Sequence, residues 1–257
     1  MNIKKAADML LKAEQDRCQI GMISKDNPEM TIDDAYAIQL KNIERRIKGG
    51  EKIIGMKIGL TSVAMQKLLG VDVPDYGHLM NNMLLLEGQG CETTELIQPK
   101  VEGEIAFCLK KTLKGPAVTI ADVYYATDYV VPALEIVDSR IKDWKIKLVD
   151  TIADNGSSAR IVVGSRMTPI EKVDMRLTGM TFEKNGMLAS TGTAAEVWGN
   201  PAAAVAWLAN QLSVYNIELK EGSIVLAGAL TAALPAMPGD SFKASFYGMG
   251  SVGIKFI

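Results

Sequence analysis

Glu102 and Glu104 are separated by one residue in Pro99-Lys-Val-Glu-Gly-Glu-Ile-Ala-Phe107, and on a β-strand that spacing sends both carboxylates to the same side. Val101, Gly103, Ile105 and Phe107 then take the opposite face. At ~3.3 Å rise per residue the two acids stand about 7 Å apart along the strand. A lone Glu-x-Glu pair is also what a solvated strand face looks like. Glu135 changes the weighing, because Tyr129-Val-Val-Pro-Ala-Leu-Glu-Ile-Val137 is apolar on both faces of a strand. A carboxylate buried there must be protonated, paired with a cation such as Arg140 or a lysine, or bound to a metal. Three carboxylates without a histidine suit a hard, oxygen-seeking ion, magnesium or manganese.

Lys57 interrupts an apolar run, Ile53-Ile-Gly-Met-Lys-Ile-Gly-Leu60, whose glycines permit close backbone approach. Two readings fit it: a stem that carries its ammonium out to water, or an ammonium aimed at a substrate carboxylate. Asp75, in Val73-Pro-Asp-Tyr-Gly77, has the setting of a turn cap. The polar cluster Asp150-Thr-Ile-Ala-Asp-Asn-Gly-Ser-Ser158 suits loop capping or a pocket wall equally well.

What the composition excludes narrows the chemistry further. One histidine, His78, and three cysteines, Cys18, Cys91 and Cys108, without CxxC spacing leave little for a zinc site, a disulfide framework or a Ser-His-Asp triad. The cysteines are expected to be reduced and mostly packed. A formal charge of -2 with no dense Lys/Arg run argues against nucleic acid as a partner. No stretch approaches the roughly 18 apolar residues of a membrane span, and the N-terminus lacks the apolar core of a signal peptide, so the expected location is cytoplasmic. Gly248-Met-Gly250 lacks the third glycine and following helix of a dinucleotide fingerprint and reads as a turn.

The elements that must position these residues follow from periodicity. Ile3, Ala6, Ala7, Leu10 and Leu11 fall at helical spacing, and Thr31-Ile-Asp-Asp34 is a capping pattern that opens a second helix through Ala37, Ile38, Leu40 and Ile43. Gly49-Gly50 ends this helical region, residues 1–50. The remainder, 51–257, reads as a β-rich catalytic domain. A short helix is expected over Ser62–Leu69. Asn185-Gly186 predicts a two-residue hairpin turn within Thr178–Thr191, and Asn200-Pro201 caps an Ala-rich helix through Leu212. The sum is an α+β chain without the regular strand–helix alternation of a doubly wound fold.

Taken in order, MKIGLTS from Met56, PDYG from Pro74, PKVEGEIAF from Pro99, ALEIVDSR from Ala133, DTIADN from Asp150 and GMGSV near the end resemble the hydratase/decarboxylase branch of the fumarylacetoacetase superfamily. That branch contains 2-keto-4-pentenoate hydratase, 2-oxo-hept-4-ene-1,7-dioate hydratase and 4-oxalocrotonate decarboxylase. The resemblance implies a mixed β-roll core preceded by a helical N-terminal region, and a homo-oligomer that can associate with a sister pathway enzyme. It implies Mg2+ or Mn2+ on Glu102, Glu104 and Glu135, catalytic roles for Lys57 and Asp75, and substrate contacts from Lys57, Leu79 and Ser158.

The implied activity is that of a lyase in aromatic-compound catabolism. The metal would chelate the carboxylate and 2-oxygen of a small 2-keto acid, and the enolate so stabilised would support hydration of a 2-hydroxy-2,4-dienoate to a 4-hydroxy-2-keto acid. The same electron sink would serve decarboxylation of 4-oxalocrotonate, and a non-catalytic partner subunit is a third possibility. Asp75 resembles the hydratases. Asp138 stands where monocarboxylate hydratases tend to have Gly and resembles the decarboxylases and diacid hydratases, and Gly156 departs from the usual Ala. A role for His78 does not follow from the resemblance.

Overall fold

The computed structural model describes residues 1–62, 66–67, 70–71 and 73–257. Among them, three helices come first: α1 (Ile3–Asp16), α2 (Ile23–Asp26) and α3 (Ile32–Lys48). The capping pattern at the start of α3 forms as expected, with the Thr31 hydroxyl accepting from the Asp34 N–H and the Asp34 carboxylate accepting in return. The buried face of α3 differs from the expected one. Ala35, Tyr36, Ile38, Gln39 and Ile43 turn inward and Ala37 is exposed. Gln39 is drawn in because its amide bonds the backbone carbonyls of Tyr76 and Ile152, at 3.0 and 2.8 Å.

The strands are β1 (Ile53–Gly59), β2 (Asp75–Met80), β3 (Leu84–Leu85), β4 (Gly90–Cys91), β5 (Pro99–Leu109), β6 (Thr127–Asp138), β7 (Ser158–Val163), β8 (Thr168–Pro169), β9 (Gly179–Lys184), β10 (Met187–Thr193), β11 (Ile224–Ala229), β12 (Leu234–Pro235), β13 (Ser241–Phe246) and β14 (Gly250–Phe256). Among the described residues they form two sheets. The larger runs β2-β1-β11-β5-β6-β7-β3, with β12 on β5 and β8 on β6, and the smaller runs β10-β9-β13-β14-β4. Both mix parallel and antiparallel pairs.

At the centre of the larger sheet β5 pairs antiparallel with β6 along almost its whole length. Val101, Ile105 and Phe107 face a large apolar cluster that takes in Ala6, Leu10 and Ile38 from the helices and Phe182, Phe242 and Phe256 from the smaller sheet. The other face of β5 and β6 meets a second cluster containing Ala106, Ala133, Ile161 and Leu226. Sandwiched so, β6 is buried from Val130 to its end, which is why its sequence is apolar on both sides.

The hairpin forms where expected, β9 to β10, with Asn185 and Gly186 at φ 55° and 74°, the left-handed pair that a two-residue turn of this hand requires. Gly248 and Met249 make the turn between β13 and β14. The Ala-rich helix runs from Pro201 to Ser213, with the Asn200 side chain accepting from the Ala202 N–H. Three helices were not expected, the one-turn α2 and also α4 (Ile120–Ala126) and α5 (Leu148–Ala153), which makes the Ala-rich helix α6. The short helix expected over Ser62–Leu69 lies largely outside the described residues. The cysteines are free: Cys91 is buried and Cys108 half-buried, but Cys18 is exposed rather than packed. No helix among the described residues is long and apolar enough to cross a membrane.

Candidate metal centre and active site

The strand register brings the acids together. Glu102 of β5 lies directly opposite Glu135 of β6, and Glu104, two residues on, lies opposite Ala133 and, across β11, Ala229. One oxygen from each of Glu102, Glu104 and Glu135 lies within 4.8 Å of the others. Glu104 and Glu135 are fully buried and Glu102 is half-buried, at the rim of a cavity of about 740 Å³.

Like charges this close repel, and the protein answers only part of that repulsion. The register of β11 slips between Leu226 and Ala229, and the Gly228 N–H there donates to Glu104 Oε2 at 2.8 Å. Among the described residues Glu104 Oε1 and both oxygens of Glu135 have no hydrogen-bond donor. Burial, joined by the neighbouring charge of Glu135, pushes Glu102 up to about 7. Burial and the charges of Glu135 and Glu102 hold Glu104 well above the ordinary carboxylate range. Buried oxygens without donors and an all-carboxylate donor set fit a hard divalent cation, which would supply the missing positive charge.

Lys57 is 4% exposed, so its ammonium does not reach water, and its Nζ lies 3.6 Å from Glu135 Oε2. Burial alone lowers the pKa of such an ammonium, but Glu135, Asp75, Glu102 and Glu104 outweigh it and raise the group above its usual value. Of the partners considered for Glu135, it is therefore a lysine and not Arg140 that approaches. Arg140 instead pairs with Asp154 and donates to the carbonyls of Asp138 and Asp154. Two glycines make room for Lys57. A Cβ at Gly59 would meet both Asp75 Oδ1 at 2.1 Å and Lys57 Nζ at 3.2 Å, and a Cβ at Gly156, whose φ is 58°, would meet Lys57 Cε at 2.6 Å.

Asp75 opens β2 rather than capping an exposed turn. It is 2% exposed and lines the large cavity; its Oδ2 accepts from the Thr151 hydroxyl at 3.3 Å, and its Oδ1 has no donor among the described residues. Lys57, Asp75 and Glu102 thus share one cavity. Leu79 and Ser158 do not join them. Leu79 is fully buried in the second apolar cluster, opposite Gly55. Ser158 lines a separate cavity of about 130 Å³ beside Arg140 and Asp154, while its neighbour Ser157 lines the large one.

The rest of the Asp150–Ser158 cluster is mostly structural. Asp150 accepts from the N–H and hydroxyl of Ser24 and the N–H of Lys147, and Asn155 brackets His78 by bonding both its N–H and its carbonyl. His78 is buried with its Nδ1 2.9 Å from Gln39 Oε1, and burial pushes it down to about 4, so it is a neutral strut between β2 and α3. Asp138 also faces away from the large cavity: its oxygens accept from the N–H groups of Ile97 and Gln98 at 2.9 and 2.6 Å. Periodicity along β5 carried an overlooked signal for Lys100, which shares the face of Glu102 and lines the cavity. Trp144, Ser190 and Thr231 also line it and gave no signal; the hydroxyls of Ser190 and Thr231 are buried without a partner among the described residues.

The family model for the fumarylacetoacetate (FAA) hydrolase C-terminal region matches residues 81–256. The chain belongs to this family. It is 43% identical to 2-hydroxyhexa-2,4-dienoate hydratase of Comamonas testosteroni, covering 99% of this chain and 97% of that protein. It is 42% identical to 2-oxo-hept-4-ene-1,7-dioate hydratase of Escherichia coli, covering 98% and 96%. Among solved structures it resembles 4-oxalocrotonate decarboxylase from Pseudomonas putida G7 complexed with magnesium and adipate, with a TM-score of 0.96, 39% identity, and coverage of 99% of this chain and 97% of that one.

Proposed function

We propose that this chain is a magnesium- or manganese-dependent lyase that hydrates a 2-hydroxy-2,4-dienoate to a 4-hydroxy-2-keto acid in the breakdown of aromatic compounds. The observation that carries the reading is the convergence of Glu102, Glu104 and Glu135, two of them with donor-free oxygens, beside Lys57 and Asp75. Relatives that hydrate dienoates at 42–43% identity over nearly the whole chain support it. The three glutamates would hold the ion, which when bound acts as a Lewis acid toward the substrate's 2-oxygen.

The chain's own residues do the rest. Lys57, charged at any working pH, neutralises and orients the substrate's C1 carboxylate at the cavity floor. Asp75 lines the same cavity, its Oδ1 without a partner among the described residues, and would move a proton between water and the carbon chain, help typically worth ~10²–10⁴-fold in rate. Val137, Ile146 and Leu230 give the substrate's middle an apolar wall. With this reading go a family β-roll, a helical region 1–50 attached to a catalytic domain 51–257, and a homo-oligomer. Exposed Leu177, Met187, Leu188 and Tyr247, on and beside the smaller sheet, offer that oligomer apolar surface.

Incubation with 2-hydroxypenta-2,4-dienoate and with its 1,7-dioate homologue, in magnesium, should bleach the dienoate absorbance and yield a 4-hydroxy-2-keto acid. Asp75→Asn should lower that rate at least a hundredfold while magnesium still binds. The resemblance to 4-oxalocrotonate decarboxylase favours a second reading, decarboxylation by the same electron sink. Release of carbon dioxide from 4-oxalocrotonate with both dienoates untouched would replace the hydratase by it.

A further inference from the structure

Among the residues that line the large cavity, two carry ammonium groups, Lys57 and Lys100. Lys57 lies beside Glu135, at the end of the cavity assigned above to the C1 carboxylate. Lys100 makes no ion pair among the described residues. Its Nζ instead lies 4.3 Å from the centre of the Trp144 ring. On β5 it sits two residues before Glu102 on the same face, opposite Val137 of β6 and Pro235 of β12. The ammonium is thus rooted about 7 Å along the strand from the metal-site acids, by the ~3.3 Å rise per residue. Val137 and Ile146 line the cavity with it.

The support behind Lys100 is held rigidly. Trp144 Nε1 donates to the Gln98 carbonyl at 3.1 Å. Asp143 and Trp144 are consecutive non-glycine residues at φ 57° and 55°, a conformation that persists only where the surroundings impose it and that gathers at ligand sites. A cation that lines the cavity, lies against an indole and lacks a paired acid among the described residues is built to receive an anion.

We propose that Lys100, backed by Trp144, binds the distal carboxylate of a linear dicarboxylate, so that the chain prefers diacid 2-oxo substrates of six or seven carbons to monocarboxylates. This rests on the functional reading above, in which the other end of the substrate is anchored at Glu102, Glu104, Glu135 and Lys57. Asp138 has no part in it, since both its oxygens serve the Ile97 and Gln98 backbone.

Calorimetric titration of the magnesium-loaded protein with adipate and with hexanoate tests it, in wild type, Lys100→Met and Lys100→Arg. Methionine keeps the stem over Trp144 and removes the charge. Wild type should prefer adipate by about ten- to hundredfold, the range carried by a hydrogen bond to a charged group. Lys100→Met should lose that preference with hexanoate affinity unchanged, and Lys100→Arg should keep most of it. In turnover, the variant's KM for the 1,7-dioate should rise by the same factor with kcat little altered. Equal affinity for adipate and hexanoate in wild type, or equal weakening of both by Lys100→Met, would overturn the proposal. An adipate preference in a protein that hydrates neither dienoate would uphold this subsite and sink the hydratase reading; hydration without any adipate preference would do the reverse.

Discussion

Lys57 Nζ lies 3.6 Å from Glu135 Oε2, and neither side chain has access to bulk water. Among the described residues this ammonium is the one cation that pairs with the acids of the cavity floor. Removing one partner of a buried pair leaves the other uncompensated, at a cost of about 3–5 kcal/mol. Lys57→Met should therefore lower the denaturant midpoint of the chelator-treated protein markedly. In the magnesium-loaded protein it should cut turnover by at least two orders of magnitude. An unchanged midpoint would mean that Glu135 is neutral without its partner.

The metal-free acid cluster predicts an inverted response to pH. Burial raises Glu102 from 4.5 to about 7 and Glu104 well above its usual value, so between about pH 4.5 and 7 and beyond the folded state holds protons that the unfolded state has released. The cluster's contribution to stability is then largest below pH 4.5 and is lost as pH rises through 7. Glu104→Gln should raise the melting temperature of the metal-free protein most at pH 8 and least at pH 5, and should abolish stabilisation by magnesium. Because the ion requires ionised ligands, its binding should release protons and strengthen as pH rises through 7. Calorimetry in buffers of different ionisation enthalpy reads that release.

His78 works in the opposite sense. Its pKa falls from 6.5 to about 4 because the ring is buried, so its contribution is fully present above pH 6.5 and is lost as pH falls toward 4. The shift corresponds to about 3 kcal/mol at its full extent. His78→Gln should be less stable than wild type at pH 7.5, having lost the fitted ring beside Gln39, yet should lose less further stability on going to pH 5. Denaturation curves at the two pH values check the slope; a slope equal to that of wild type would remove His78 as its source.

Asp138 bridges the N–H groups of Ile97 and Gln98 at the entry to β5. Asp138→Ala leaves those donors without their acceptor and should cost about 1–3 kcal/mol, a drop of several degrees in melting temperature. The ratio of activities on mono- and dicarboxylate dienoates should stay as it was. A change in that ratio would show that Asp138 influences the choice of substrate.

Much of the site could be read before the fold was known because strand periodicity is a strong local rule. Alternation alone put Glu102 and Glu104 on one side of β5, and apolar residues on both sides of Glu135 required that carboxylate to be buried. What periodicity does not carry is which strands become neighbours. That β11 should supply the Gly228 N–H to Glu104, or that the turn at Asp143 and Trp144 should fold over Lys100, depends on contacts more than 40 residues apart in sequence. The same gap explains the polar cluster. Asp150, Asp154 and Asn155 looked as suited to a pocket as to capping, and their partners Ser24, Arg140 and His78 became visible only in the fold. Leu79 and Ser158 entered by resemblance, and their positions depend on which way β2 and β7 face in the sheet. The inward turn of Gln39 had no periodic signal, because a buried amide is tolerated only when its acceptors are already placed.

The direct opposition of Glu102 and Glu135 makes the centre a gauge of strand alignment. A shift of β5 by a single residue against β6 would swing Val101 and Gly103 into the acids' place and drive the two glutamates into the phenylalanine-rich interior, where charge is costly. Misaligned chains should thus be both unstable and unable to capture the ion. A molecule that retains magnesium has, by that fact, its two central strands in step.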